Sequence, residues 1–187
     1  MTQVGLLRSR RIVVLFFTLA TGAACNKSSP TAPTGSTTPP VTSAPTPSPS
    51  PSPTVPTGTN HPAEQAMCVE FNNAYRATVG ARPLARSSRL ETFATAAAES
   101  DGRSHNAHGH FRATNGGGVS LAENMIPWWS LAQFRTIEQV MRTGFAGMWN
   151  EGPGGGHFEN MRSTRWSEIG CGIYVGNGEV TIAVEFR

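Results

Sequence analysis

A sharp change in composition near residue 61 decides which part of this chain can form a folded core. Residues 28–60 contain no charged side chain and consist almost entirely of Ser, Thr, Pro, Ala and Gly, with ten prolines between Pro30 and Pro56. Such a segment has too little apolar surface to offset the conformational entropy lost on folding. Because proline favours extended polyproline II, we predict a stalk that reaches up to about 100 Å.

The residues before this segment have the layout of a bacterial secretory signal. Three arginines within residues 8–11 precede the apolar run 12–20, and small residues lead to Cys25. The run is shorter than the roughly 20 residues that span a bilayer, so residues 1–24 are predicted to be a cleaved signal peptide. The small residues before Cys25 are typical of lipoprotein cleavage sites, although Gly22 replaces the usual Leu. We expect Cys25 to be lipidated, and the alternative is plain secretion with an incidental cysteine.

Removal of the signal would also change the charge of the protein. The whole chain has a formal net charge of +3, and residues 1–24 contribute three arginines and no acidic residue. The mature chain is therefore close to neutral, whereas a nucleic-acid binder is expected to keep a positive patch for phosphate neutralisation. We expect no nucleic-acid partner, a monomer, and membrane contact only through an N-terminal lipid.

The domain boundaries follow from the same compositional change. Residues 25–61 are predicted to form the stalk, and residues 62–187 are long enough for one folded domain with its own core. Apolar residues three or four apart predict helices near residues 67–79 and 90–98. Ser88 and Glu91 are predicted to form a capping box at the start of the second helix.

The remaining elements are predicted from turn residues and a change of period. Residues 101–118 are rich in Gly and His and indicate loop and short strand, and a third helix is predicted to begin at Ser130. From residue 169 onward apolar residues alternate on both sides of Asn177 and Gly178, which predicts a β-hairpin. Helices followed by a terminal hairpin predict an α+β domain with an antiparallel sheet between helical layers.

Two cysteines remain once Cys25 is assigned to the anchor. Cys68 lies in the first predicted helix and Cys171 in the first strand of the hairpin. An even pair in an oxidising compartment favours a disulfide, which would tie the helix to the sheet. The alternative is two separate buried thiols.

Several short motifs recur in one order over residues 62–187. They are the pattern NxxRxxxGxxPL at residues 73–84, "AENM" at 122–125, "GHFENM" at 156–161 and "EIGCG" at 168–172. In combination they resemble the CAP superfamily of cysteine-rich secretory, antigen 5 and pathogenesis-related proteins. The resemblance implies a three-layer α-β-α sandwich with a central cavity lined by two His and two Glu, which in some members holds a divalent cation.

The resemblance also implies which residues line that cavity. The Glu of the family's Gly-Glu-Asn motif corresponds to Glu123, although Ala122 replaces the Gly of that motif. The second cavity His of the family corresponds to His157. The first His is His108 or His110, and His110 is favoured because an aromatic residue follows it. Glu151, two residues after a helical Trp, matches the second Glu.

Two imidazoles with an open coordination position suit a divalent cation, zinc above all. In this hypothesis His110 and His157 are the metal ligands, and Glu123 and Glu151 orient them or accept protons. The protein would then be an interaction module for a hydrophobic ligand, a cell-wall component or a protein partner, and the rival is a metal-assisted hydrolase acting on peptide or envelope substrates. The simpler alternative is that His and Glu only pair by charge-assisted hydrogen bonds that stabilise a cleft.

Overall fold

The computed structural model describes residues 54–187. The predicted signal peptide (1–24), the lipidation candidate Cys25 and most of the predicted stalk lie outside the described residues. None of the helices within residues 54–187 combines the length and the hydropathy of a transmembrane span.

The last residues of the predicted stalk lie against the domain. Gly58 and Val175 exchange two backbone hydrogen bonds, each 2.8 Å long. The side chain of His61 is buried. The chain therefore enters the domain along the sheet before the first helix begins.

The described residues form six α-helices. They are α1 (Pro62–Thr78), α2 (Ser88–Ser104), α3 (Gly109–Thr114), α4 (Leu131–Phe134), α5 (Ile137–Asn150) and α6 (Gly156–Arg162), with a 3₁₀ turn at Asn115–Gly118. Pro62 opens α1, where its fixed φ and missing N–H suit the first helical turn. Both amphipathic helices predicted in the first half of the domain are confirmed as α1 and α2.

Four strands form one mixed sheet in the order β1-β3-β4-β2. They are β1 (Ala85–Arg86), β2 (Ala122–Ser130), β3 (Glu168–Gly176) and β4 (Glu179–Phe186). The predicted hairpin is confirmed as β3 and β4, and its turn residues Asn177 and Gly178 both have positive φ. The two-residue β1 runs parallel to β3. Parallel strands need a long crossover connection, and here the connection runs from α2 through β2 to α6.

The sheet separates two helical layers, which confirms the predicted α-β-α sandwich. On one face α2 packs so closely that a Cβ on Gly172 would lie 2.0 Å from the carbonyl carbon of Ala94. On the other face α1, α5 and α6 cover the apolar side chains of the hairpin, and these side chains are Ile169, Cys171, Ile173, Val175, Val180, Ile182, Val184 and Phe186. Both faces of the sheet are therefore covered.

A disulfide joins Cys68 of α1 to Cys171 of β3 across 103 positions in the sequence. The predicted link between the first helix and the C-terminal sheet is confirmed. Both cysteines are fully buried in the larger core.

The start of α2 differs from its sequence prediction. Ser87 precedes the first helical turn, and its side chain makes no capping hydrogen bond. The Glu91 carboxylate instead pairs with Arg86, the last residue of β1. The capping box of Ser88 and Glu91 is wrong, because the neighbouring strand supplies a charged partner for the glutamate.

Two further segments differ from the sequence prediction. Residues 101–118, expected to be loop and short strand, contain the end of α2, α3 and the 3₁₀ turn. The helix expected from Ser130 does begin after that residue, as α4, but it ends at Phe134. Arg135 has a positive φ of 63° and separates this short helix from α5. Thr136 then caps α5 by accepting a hydrogen bond from the Gln139 amide at 3.2 Å.

Candidate functional site

Strand β2 places Glu123 on the sheet face that α2 covers. Glu123 lies opposite Glu185 of β4, and Glu185 also lies opposite Gly170 of β3. Opposite residues in a pleated sheet point to the same face. A Cβ on Gly170 would contact the backbone of α2 at 2.4 Å, so all three positions face that helix.

His108 is the histidine that pairs with Glu123. Its Nδ1 lies 2.7 Å from the Glu123 Oε1, and the glutamate side chain is 1% exposed against 34% for the histidine. The aromatic residue after His110 favoured that histidine as the partner of Glu123, and the structure corrects this preference. The His110 amide donates to Asp101 Oδ1 at 2.8 Å, and its ring lies 5.2 Å from the Phe93 ring, because α3 begins between the two histidines. A metal-binding role for His110 stays a prediction.

Glu151 and His157 form a second pair. Glu151 follows the last residue of α5, and its Oε1 lies 2.5 Å from the His157 Nδ1 while its Oε2 accepts from the His157 amide at 3.0 Å. The hydrogen bond from the imidazole holds the pKa of the Glu151 carboxyl below its usual range. The glutamate is therefore ionised at neutral pH and accepts a hydrogen bond from the protonated Nδ1 of His157.

Both pairs lie beside the same stretch of β2, which is an edge strand of the sheet. Asn124 Nδ2 donates to the His157 carbonyl oxygen at 3.0 Å, and Asn160 Nδ2 donates to Asn124 Oδ1 at 2.9 Å. These bonds fix α6 against the residue next to Glu123. His157 and Glu123 are thus in the same region of the molecule, and they approach the edge strand from opposite faces of the sheet.

The arrangement leaves one nitrogen of each imidazole available. When a carboxylate accepts from Nδ1, that nitrogen carries the proton and Nε2 keeps its lone pair. The rings of His108 and His157 are about one-third exposed. Over residues 54–187, however, no three His, Cys, Asp or Glu side chains are placed to hold a metal ion. The described residues therefore form two separate His–Glu pairs and no larger cluster of ligands.

Two buried carboxyls that the sequence prediction missed lie behind Glu123. Glu185 is fully buried and Asp101 is 1% exposed, and within the described chain neither Glu185 oxygen nor Asp101 Oδ2 has a hydrogen-bond partner. Burial, and then the adjacent Glu123 carboxyl, raises the pKa of Glu185 to about 10. Burial also raises the pKa of Asp101. Glu185 is therefore protonated at neutral pH, which limits the negative charge around Glu123.

One signal in the sequence could have identified Glu185. Glu185 lies on the face of β4 opposite to that strand's apolar residues. Its cross-strand neighbour Gly170 has no side chain. In a sheet covered on both faces such a carboxyl has no route to solvent. The prediction that helices cover both faces therefore implied a buried acid at this position.

The described residues thus form a disulfide-linked α-β-α sandwich with two His–Glu pairs beside its edge strand. The sequence pattern of the CAP or cysteine-rich secretory protein family matches residues 69–185, and this chain belongs to that family. No match to the chain is found among curated proteins.

Solved structures share the fold at low sequence identity. NaASP2, solved with Zn²⁺, is 14% identical with a TM-score of 0.53, and the match covers 69% of this chain and 80% of that one. Na-ASP-1 is 17% identical with a TM-score of 0.52, over 67% of this chain and 36% of that one. A cysteine-rich secretory protein from Staphylococcus aureus is 13% identical with a TM-score of 0.43, over 68% of this chain and 40% of that one. This chain spans less than half of the last two proteins.

Proposed function

We propose that this chain is an exported CAP domain whose two His–Glu pairs bind a divalent cation, zinc in the first instance. The observation that carries the proposal is that each Nδ1 is held by a carboxylate, which leaves Nε2 as a metal-binding atom. Metal-ligating histidines commonly have this second hydrogen bond, because it fixes the tautomer and the ring orientation. His108 and His157 would hold the ion, and Glu123 and Glu151 would orient them. Water or a bound ligand would complete the coordination, since catalytic and exchangeable zinc sites keep an open position.

The leading role is an interaction module for a hydrophobic ligand, a cell-wall component or a protein partner. A groove of about 320 Å³ between α1 and α5 is the surface that would take a hydrophobic ligand. Met67, Phe71 and Ala74 form its apolar part, and the charged residues Glu70, Glu138 and Arg142 complete its lining. The groove shares no residue with the His–Glu pairs. Ligand binding in the groove and cation binding at the pairs are therefore separable.

Attachment to the cell envelope through Cys25 belongs to the same proposal. The Cys68–Cys171 disulfide supports an oxidising compartment, and the family to which the chain belongs is described as secretory. Partitioning of the full chain and of Cys25→Ala between detergent and water tests the anchor. The variant is expected in the aqueous phase, and equal partitioning of both proteins would remove the lipid.

A metal-assisted hydrolase is the second candidate function. It is favoured by the buried Glu123, whose Oε2 has no protein partner within the described chain while Oε1 holds His108. A bound cation would supply the acidity that lowers the pKa of a water molecule, and a carboxylate so placed can accept its proton. Turnover of an ester and peptide panel that is lost in Glu123→Gln would establish this role, whereas no turnover by the wild type would dismiss it.

Zinc-dependent thermal stability tests the cation site. A ligand at 100 times its Kd stabilises the folded state by about 2.7 kcal/mol, which raises Tm by on the order of 10 °C for a domain of this size. The shift is expected in the wild type and should be lost in both His108→Ala and His157→Ala.

His110→Ala is the matched control for this experiment, because His110 makes its polar contact through the backbone amide. It should keep the zinc shift. A shift that disappears only in His110→Ala would return the ligand role to that residue, and no shift in the wild type would remove the metal.

A further inference from the structure

A small cavity lies between the end of α1 and the connection from α6 to β3. Its volume is about 180 Å³, and its walls include Arg76, Arg82, Thr164, Trp166 and Ser167. None of these residues belongs to the His–Glu pairs. Every polar side chain among these five can donate a hydrogen bond, and no carboxylate lines the cavity.

Arg76 brings a buried positive charge to this cavity. The residue is 1% exposed, and its Nε donates to the Arg82 carbonyl at 2.8 Å. Its Nη1 donates to the carbonyls of Met161 and Ser163, both at 2.8 Å. Nη2 makes no hydrogen bond to the protein within residues 54–187, and the three acceptors are neutral. Buried charges are ordinarily paired with an opposite charge. The described residues supply no such counter-ion for the Arg76 guanidinium.

A second positive charge lies beside the first. Arg82 is exposed at the mouth of the cavity, and no ion pair with a carboxylate involves Arg76 or Arg82 in the described part of the chain. Burial, and then the like charge of Arg82, lowers the pKa of the Arg76 guanidinium. The Arg165 guanidinium lies 4.9 Å from the centre of the Trp166 ring. Two arginines, Arg76 and Arg82, thus line the cavity, and Arg165 lies against Trp166.

Trp166 contributes a donor that has no acceptor. The residue is 9% exposed, and its indole Nε1 is buried without a hydrogen-bond partner among the described residues. An unpaired buried donor costs free energy, and native proteins usually satisfy such groups. Thr164 and Ser167, which carry hydroxyl groups, also line the cavity. The missing component is an acceptor that carries negative charge.

We propose that this cavity binds a phosphoryl group, with Arg76, Arg82 and Trp166 as its principal donors. A phosphoryl group presents several oxygens in a tetrahedral arrangement and carries up to two negative charges, which suits donors that approach from different sides. A single carboxylate is planar and has one charge, so it satisfies fewer of them. The site is independent of cation binding at His108 and His157.

Nuclear magnetic resonance of the indole N–H groups tests the site directly. The chain contains four Trp residues, and the Trp166 resonance is identified by its loss in Trp166→Phe. Titration of the full-length chain with inorganic phosphate at constant ionic strength is expected to shift this resonance saturably. Acetate and chloride should shift it much less.

Phosphate affinity in matched variants provides the second readout. Trp166→Phe keeps the ring and removes the unpartnered donor, so it should fold and bind phosphate about tenfold more weakly, as expected for loss of one hydrogen bond to a charged group. Arg82→Gln should weaken binding as well. Arg103→Gln removes an arginine from α2, on the other face of the sheet, and should bind like the wild type.

Co-sedimentation with vesicles identifies the source of the phosphoryl group. Binding to phosphatidic acid in phosphatidylcholine vesicles that is lost in Trp166→Phe would assign a lipid headgroup. Binding of free phosphate without vesicle binding would assign a soluble phosphate ester. The proposal is overturned if phosphate leaves the Trp166 resonance unchanged, or if Trp166→Phe and Arg82→Gln bind phosphate as tightly as Arg103→Gln.

Discussion

Replacement of Glu185 by glutamine is expected to change how the stability of the domain depends on pH. Glu185 is fully buried, its pKa is raised from 4.5 to about 10 by burial and by Glu123, and its carboxyl oxygens have no hydrogen-bond partner among the described residues. The folded protein therefore keeps a proton that the unfolded chain releases above pH 4.5. Unfolding releases this proton between about pH 4.5 and 10, so the free energy of unfolding falls as pH rises through that window.

The magnitude follows from one proton per molecule. Each pH unit inside the window removes about 1.4 kcal/mol from the free energy of unfolding, so the interval from about pH 5.5 to 7.5 removes about 2.7 kcal/mol. Glu185→Gln has no such proton, because its amide group is neutral throughout the pH window. Asp101 also has a raised pKa, and its contribution is expected in both proteins and largely cancels in the comparison.

Urea unfolding at 25 °C and three pH values between 5.5 and 7.5, with the disulfide intact, measures this difference. Glu70→Gln, an exposed position on α1, is the matched control and should follow the wild-type slope. If the wild type and Glu185→Gln lose stability in parallel, Glu185 is ionised in the folded state and the reasoning fails.

Three other tests address the packing of the domain. Loss of the Cys68–Cys171 bond, by reduction or by Cys68→Ala with Cys171→Ala, frees a loop of about 100 residues. It should lower the free energy of unfolding by about 4 to 5 kcal/mol in denaturant titrations. Equal midpoints with and without reductant would contradict the link. Gly172→Ala places a methyl group against the backbone of α2 and should lower the free energy of unfolding by more than about 3 kcal/mol. Gly147→Ala, with open space around it in α5, should leave that free energy unchanged or raise it by up to about 1 kcal/mol. Thermal melts that rank the two variants the other way would refute the close approach of α2 to Gly172. Thr136→Ala removes the cap of α5 and should cost about 1 kcal/mol, and an unchanged Tm would show that the cap is unimportant.

Patterns within a short stretch of sequence were sufficient for several elements. Alternation on both sides of Asn177 and Gly178 predicted the hairpin because a strand repeats every two residues and both turn residues accept positive φ. The apolar period of α1 predicted its helix, and an even cysteine pair predicted the Cys68–Cys171 disulfide. Helical and strand periods depend on neighbours in the chain, so they can be read without knowing the fold.

Capping and helix breaks were predicted less well. Ser88 and Glu91 match a capping box, yet Arg86 on an adjacent strand binds the glutamate. Ser130 precedes a helix as predicted, but it also pairs with β4, its side chain makes no capping hydrogen bond, and the helix is interrupted at Arg135. In each case a partner from another element competes with a local hydrogen bond.

The sequence by itself determined the composition of the predicted stalk, the α+β class and the family. The family resemblance named Glu123, Glu151 and His157, which the structure places in the His–Glu pairs. Only the tertiary structure decided that His108 rather than His110 pairs with Glu123, and that Glu185 is fully buried next to Glu123. Those contacts depend on strand register and on where α3 begins, and both are set by packing between residues far apart in the chain. A shift of one position in register would move a side chain to the opposite face of the sheet, which is why local patterns could not assign them.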